Sequence, residues 1–158
     1  MDTQTQKLMF SSKSNEWETS QDFFDKLNKK YKFTLDPCAT HENHKCDKYY
    51  TIEDNGLAQS WESERVFVNP PYADIGKWVE KAYKEATKNS AVVVLLIPSR
   101  TDTKYWHNYI MKSASTIYFV KGRLKFSGTK NTAPFPSAVV VFGGFRFSPG
   151  PRIATLEK

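Results

Sequence analysis

The run Ala91-Val92-Val93-Val94-Leu95-Leu96-Ile97 constrains this chain more than any other segment. It is continuously apolar and rich in β-branched residues. It therefore lacks the alternation of a half-exposed strand and is far short of the roughly 20 residues that cross a bilayer as a helix. Such a run suits a strand covered on both faces, and a strand of that kind needs helices on either side of its sheet.

The flanking segments supply the helices. Ser20 can cap a helix whose apolar residues Phe23, Phe24, Leu27 and Tyr31 fall at helical spacing, with Asp22 in the first turn and an end near Lys32. Residues 74–87 predict a second amphipathic helix, with Ile75, Trp78, Val79, Ala82 and Ala86 on one stripe and Lys77, Lys81, Lys84 and Lys88 around it. Asp102 or Thr103 is placed to cap a short third helix bearing Tyr105, Trp106 and Ile110.

Short strands are expected at 33–36, stopped by Pro37, and at 48–51, 66–68, 115–120 and 138–142. Strands alternating with helices and followed by two closing strands predict an α/β fold with a mixed, mostly parallel sheet flanked by helices. Residues 1–15 read as a flexible tail, 16–146 as one domain and 147–158 as a loose carboxyl end, without room for a second domain in 158 residues.

Aromatic content of 15% and hydrophobic content of 39% exclude a disordered chain. The polar amino terminus has no signal-peptide pattern, so a cytoplasmic protein without a membrane span is expected. The net charge of +6 favours polyanionic partners, because each cation placed on a phosphate releases condensed counterions. Cys38, His41, His44 and Cys46 raise the question of zinc, but structural zinc ligands usually come as two pairs separated by a longer loop, and no metal is expected.

In doubly wound sheets ligands bind beyond the carboxyl ends of the strands, and there this sequence places Asp36, Asn69 and the Pro98-Ser99 pair. Asn69-Pro70-Pro71-Tyr72 has a chemical rationale. Methyl transfer to an aromatic amine must overcome delocalisation of the nitrogen lone pair. The Asn69 side-chain carbonyl and the Pro70 backbone carbonyl can accept both amine hydrogens, while two prolines hold the acceptors in place. Tyr72 can stack on an extruded base.

Asp36 suits an ammonium or ribose hydroxyls, or else caps its loop. Asp54 can accept from an adenine amine or hold the turn Asp54-Asn55-Gly56, and Trp61 can plug the core or wall a pocket. Arg100, Lys121, Arg123, Lys125 and the nearby Lys130 combine with Phe126 into a patch suited to a nucleic-acid backbone, or to a solvated edge.

The succession Trp17-Glu18-Thr19, residues 33–39, Asn43, Lys45-Cys46, Tyr50-Thr51, residues 54–57, Trp61 and residues 68–72 resembles the phage-type DNA N6-adenine methyltransferase (Dam) family. The likeness continues through Trp78-Val79, residues 98–103, Trp106, residues 122–126 and residues 133–137. The resemblance implies a Rossmann-like fold, S-adenosylmethionine as methyl donor, adenine in DNA as acceptor, and a phage or prophage setting in the host cytoplasm. Carried over by position, Asn69, Pro70, Pro71 and Tyr72 match the catalytic motif. Asp36 and Pro37 match a reduced cofactor motif, and Trp17 and Thr19 an amino-terminal cofactor contact.

Two departures stand out. Asp36 is followed by Pro37-Cys38-Ala39-Thr40, without the glycine-rich turn usual in amino-methyltransferases, and no segment is long enough for a separate target-recognition domain. Target choice is then expected to be relaxed or to come from a homodimer or a specificity partner. The competing readings are an amino-methyltransferase acting on RNA or protein, and a basic nucleic-acid-binding protein that keeps the fold without catalysis.

Overall fold

The computed structural model describes residues 18–146 and 149–158; the predicted tail at 1–15 and Trp17 lie outside them. The central strand is where the apolar run predicts it. β2 (Val92–Pro98) lies between β1 (Arg65–Val68), to which it is parallel, and β4 (Ser137–Phe142), to which it is antiparallel. Beyond β4 come β3 (Thr116–Val120) and β5 (Arg152–Leu156), completing the order β1-β2-β4-β3-β5.

Alternate residues of β2 feed two cores. Val93, Leu95 and Ile97 pack on one face, with Ile75, Trp78, Val79 and Ala82 of α2 (Ile75–Lys88); Val94 and Leu96 pack on the other, with Phe23, Phe24, Leu27 and Tyr31 of α1 (Gln21–Tyr31). Burial on both faces is why the run is apolar without alternation.

α1 begins at Ser20, whose hydroxyl accepts from the Phe23 amide at 3.4 Å. It ends with Lys32 in the left-handed region, its amide donating to the Asn28 carbonyl. The third helical segment is a π-helical turn, Trp106–Ile110, continued by α3 (Met111–Ser113); Trp106 and Ile110 are buried. It starts without a side-chain cap, and the Thr103 hydroxyl instead donates to the Arg100 carbonyl at 2.8 Å.

The sheet is mixed and mostly parallel in strand direction: β1, β2, β3 and β5 run one way and β4 alone runs against both its neighbours. Two other expectations need correction. The described part of the expected loose carboxyl end is paired: β5 pairs with β3 along its length. Its sequence, Arg-Ile-Ala-Thr-Leu, hides this because an edge strand is held by backbone pairing and buries little.

The short strands at 33–36 and 48–51 reduce to single parallel bridges, Leu35 to Val66 and Asp36 to Tyr49, which extend the sheet beyond β1 by one or two residues each. No helix among the described residues is long and apolar enough to cross a membrane.

Candidate active site

β1, β2 and β3 share one direction, so their carboxyl ends meet along one edge of the sheet, together with the start of β4. That edge opens into a cleft of about 570 Å³, within the size range of small-molecule sites. Asn69, Pro70, Pro71 and Tyr72 line it as the chain leaves β1 and enters α2 through a 3₁₀ turn, Tyr72–Asp74. Thr19, Asp36 and Pro37 also line it.

Asp36 is buried where the sheet edge bends. Its carboxylate accepts from the Lys45 amide at 2.9 Å and the Cys38 amide at 3.4 Å. Burial pushes the carboxyl up to about 6, the two amides and the charge of Lys45 pulling the other way. The lining therefore holds a desolvated acid whose carboxylate is held by two backbone amides.

Asn69 reaches across the entrance: its Nδ2 donates to the Thr19 hydroxyl at 3.0 Å. The bond assigns the donor end of the amide to Thr19 and turns Oδ1 into the acceptor end. Thr19 is buried, and its segment is anchored by the Ser127 amide donating to the Glu18 carbonyl at 2.8 Å and by the Lys45–Glu18 ion pair at 3.7 Å. The structure thus gives Thr19 a positioning contact with the motif as well as a place in the lining.

Tyr72 meets Phe135 edge to face at 5.4 Å, and Phe135 meets Phe126 at 6.2 Å. Burial raises the Tyr72 hydroxyl while the nearby Arg100 charge lowers it, so the phenol stays neutral. Phe126 and Phe135 belong to the 121–136 connection, which buries Leu124, Phe126 and Ala133.

Arg100, Lys121, Arg123, Lys125 and Lys130 are all exposed. Lys121 pairs with Glu157 at 3.7 Å, and an Arg123 Nη donates to the Ala133 carbonyl at 3.4 Å.

Asp54 does not line the cleft. Its carboxylate accepts from the Thr51 amide at 2.8 Å and hydroxyl at 3.1 Å, bonds that hold it below the usual carboxylate range. This is the turn-holding role.

Trp61 is the core plug. It is fully buried, with Nε1 donating to the Gly56 carbonyl at 3.0 Å, its amide donating to Glu85 and its ring stacked on Trp78, which among the described tryptophans lines the cleft. Helical spacing marks Trp78 only as a core residue; the cleft role needs the third dimension.

Gly56 answers the missing glycine turn. A Cβ there would overlap the Pro37 carbonyl oxygen, so the loop after Asp36 gets its close backbone approach from a glycine twenty positions downstream.

Among the described residues no group of three or more His, Cys, Asp or Glu is placed to hold a metal. His44 stacks on Tyr49 at 3.9 Å and His41 Nδ1 meets the Tyr49 hydroxyl at 2.8 Å, while burial pushes both the Cys38 and Cys46 thiols up to about 12.

The family model described as DNA N-6-adenine-methyltransferase (Dam) matches residues 6–142. The DNA N-6-adenine-methyltransferase of Haemophilus phage HP1 (strain HP1c1) is 28% identical over 95 residues, 60% of this chain and 55% of that protein. The DNA N-6-adenine-methyltransferase of Escherichia phage T1 is 31% identical over 110 residues, 68% of this chain and 45% of that protein. The putative methyltransferase YfdM of Escherichia coli (strain K12) is 41% identical over 66 residues, 37% of this chain and 71% of that protein. The chain spans about half the length of the phage relatives it matches.

Proposed function

The chain belongs to the DNA N-6-adenine-methyltransferase (Dam) family, and on that premise we propose that it methylates the exocyclic amine of adenine in DNA with S-adenosylmethionine as donor. The observation that carries this reading is Asn69-Pro70-Pro71-Tyr72 at the carboxyl end of β1, lining a cleft that also holds the buried Asp36. The same reading takes the sheet as Rossmann-like. Its support is the run of parallel pairings from Tyr49 through Asp36, Leu35 and β1 to β2, with the candidate site beyond the carboxyl ends.

The lining fits the donor. A desolvated carboxylate in a concave, partly apolar cleft is matched by an ammonium or by ribose hydroxyls, and Pro37, Leu57 and Trp78 offer apolar cover. The donor, when bound, supplies an activated methyl group; the protein has to position the acceptor. Asn69 Oδ1 and the Pro70 carbonyl accept the two amine hydrogens, drawing the nitrogen out of conjugation as positive charge develops on it. Thr19 keeps the Asn69 amide in the productive orientation, and the prolines fix the Pro70 carbonyl.

Tyr72 supplies a stacking face for a base taken out of the helix, and the exposed cations Arg100, Lys121, Arg123, Lys125 and Lys130 are the groups that would hold the phosphate backbone. No covalent enzyme intermediate is required. Soluble DNA in the host cytoplasm is the substrate this reading implies.

The test is transfer of labelled methyl from S-adenosylmethionine to unmethylated duplex DNA, with Asn69→Ala as control and nucleoside analysis of the product. Labelled N6-methyladenine supports the reading. Donor binding without label on DNA moves the assignment to RNA or protein amines, and absence of donor binding leaves a nucleic-acid-binding protein.

A further inference from the structure

The cleft carries its charges unevenly. Five of its lining side chains are carboxylates, Glu18, Asp36, Glu42, Glu53 and Asp74, whereas Lys45 is the one lysine or arginine among the described residues that line it. An acidic wall suits a ligand of net positive charge. S-Adenosylmethionine is such a ligand, with a sulfonium and an α-ammonium against one α-carboxylate. That carboxylate loses water when the donor enters, and among carboxylates it is repelled unless a cation meets it.

Lys45 is placed for that role. Its side chain is 9% exposed, although a lysine ordinarily keeps its charged head in water. An ammonium has three donor positions. Gln21 Oε1 accepts one at 3.2 Å, and Glu18 Oε1 stands at 3.7 Å, too far for a hydrogen bond but near enough to steady the ammonium by charge. A secluded ammonium is thus left with donors to spend.

The backbone of the same residue fixes its neighbour. The Lys45 amide donates to the Asp36 carboxylate at 2.9 Å, so a secluded anion and a secluded cation stand within one lysine side chain of each other in the cleft wall. An amino-acid head group carries its ammonium and carboxylate on one carbon and is complementary to such a pair.

We propose that Lys45 binds the α-carboxylate of the methyl donor and so makes the site select an intact amino-acid head group. This rests on the methyltransferase reading. A lysine that only ties its loop to Glu18 would support every ligand of the cleft alike. A lysine that pairs with the carboxylate supports only ligands that possess it.

The experiment is calorimetry of the full chain and of Lys45→Met and Lys45→Gln, two uncharged replacements, with S-adenosylmethionine and with its decarboxylated analogue, which keeps the sulfonium and the ammonium. The unaltered protein is expected to bind the analogue about 10- to 100-fold more weakly, the loss of one charge-assisted pair. Each variant is expected to lose a similar factor on S-adenosylmethionine and to bind the analogue no worse than the unaltered protein does, so that the preference disappears.

Equal affinity of the unaltered protein for the two ligands overturns the assignment without any variant. So do variants that weaken both ligands by the same factor, which marks a structural tether, and variants that still prefer the carboxylate. These outcomes leave the methyltransferase reading standing; absence of binding of either ligand to the unaltered protein overturns both.

Discussion

Asp36 couples the stability of this protein to pH in a direction opposite to that of most surface carboxylates. Burial raises its carboxyl from the ordinary 3.8 to about 6. Between those values the native state holds a proton that the unfolded chain has released, so unfolding stability falls as pH rises, by about 1.4 kcal/mol per unit. The contribution is fully present below pH about 4 and lost once pH passes about 6, roughly 3 kcal/mol in all for a shift of about two units.

Asp36→Asn removes the titration while keeping an acceptor for the Lys45 amide. Urea denaturation of both proteins from pH 4 to pH 8 is expected to give a difference curve that changes by about 3 kcal/mol between pH 4 and 6.5 and is flat above. Parallel curves would refute the claim that a desolvated carboxylate sits at this position. Donor binding supplies the complementary arm: a cation paired with Asp36 lowers its pKa, so affinity is expected to drop as pH falls through 6 and binding to release a proton.

Asn69→Ala is expected to retain donor binding by calorimetry and to lose roughly 100-fold or more in methyl transfer, as for removal of one group stabilising developing charge; equal loss of both would remove Asn69 from the chemistry. Thr19→Val, which deletes the hydroxyl that holds the Asn69 amide, is expected to lower kcat about tenfold with little change in donor affinity.

Gly56→Ala forces a methyl into the Pro37 carbonyl and is expected to cost about 1–3 kcal/mol in thermal or urea unfolding; a change within about 0.5 kcal/mol would show that the two loops separate freely. Glu85→Ala strips the buried Trp61 amide, the Asn89 amide and Lys81 of their shared acceptor and is expected to destabilise by about 2–3 kcal/mol, read as a lowered urea midpoint at unchanged slope.

The readable features of this chain were those encoded locally. The β2 run announced a strand buried on both sides because each of its faces needed an apolar partner. Ser20, the apolar spacing of α1 and the stripe of α2 announced helices because capping and the 3.6-residue period act within a turn or two. Asn69-Pro70-Pro71-Tyr72 announced a turn at a strand end because consecutive prolines fix a backbone without help from elsewhere, and the turn lines the cleft.

What tertiary structure decided lay between residues far apart in the chain. Thr19 holds Asn69 across fifty positions, Gly56 seats Pro37, Trp61 takes the core and leaves the cleft to Trp78, and Asp54 turns to Thr51 rather than to the cleft. β5 is too short and too little buried to show a clear pattern, and it forms because β3 offers it a complete backbone edge. Local propensity and periodicity operate over a few residues, whereas burial, and with it the raised pKa of Asp36, exists only once distant segments have closed over the same space.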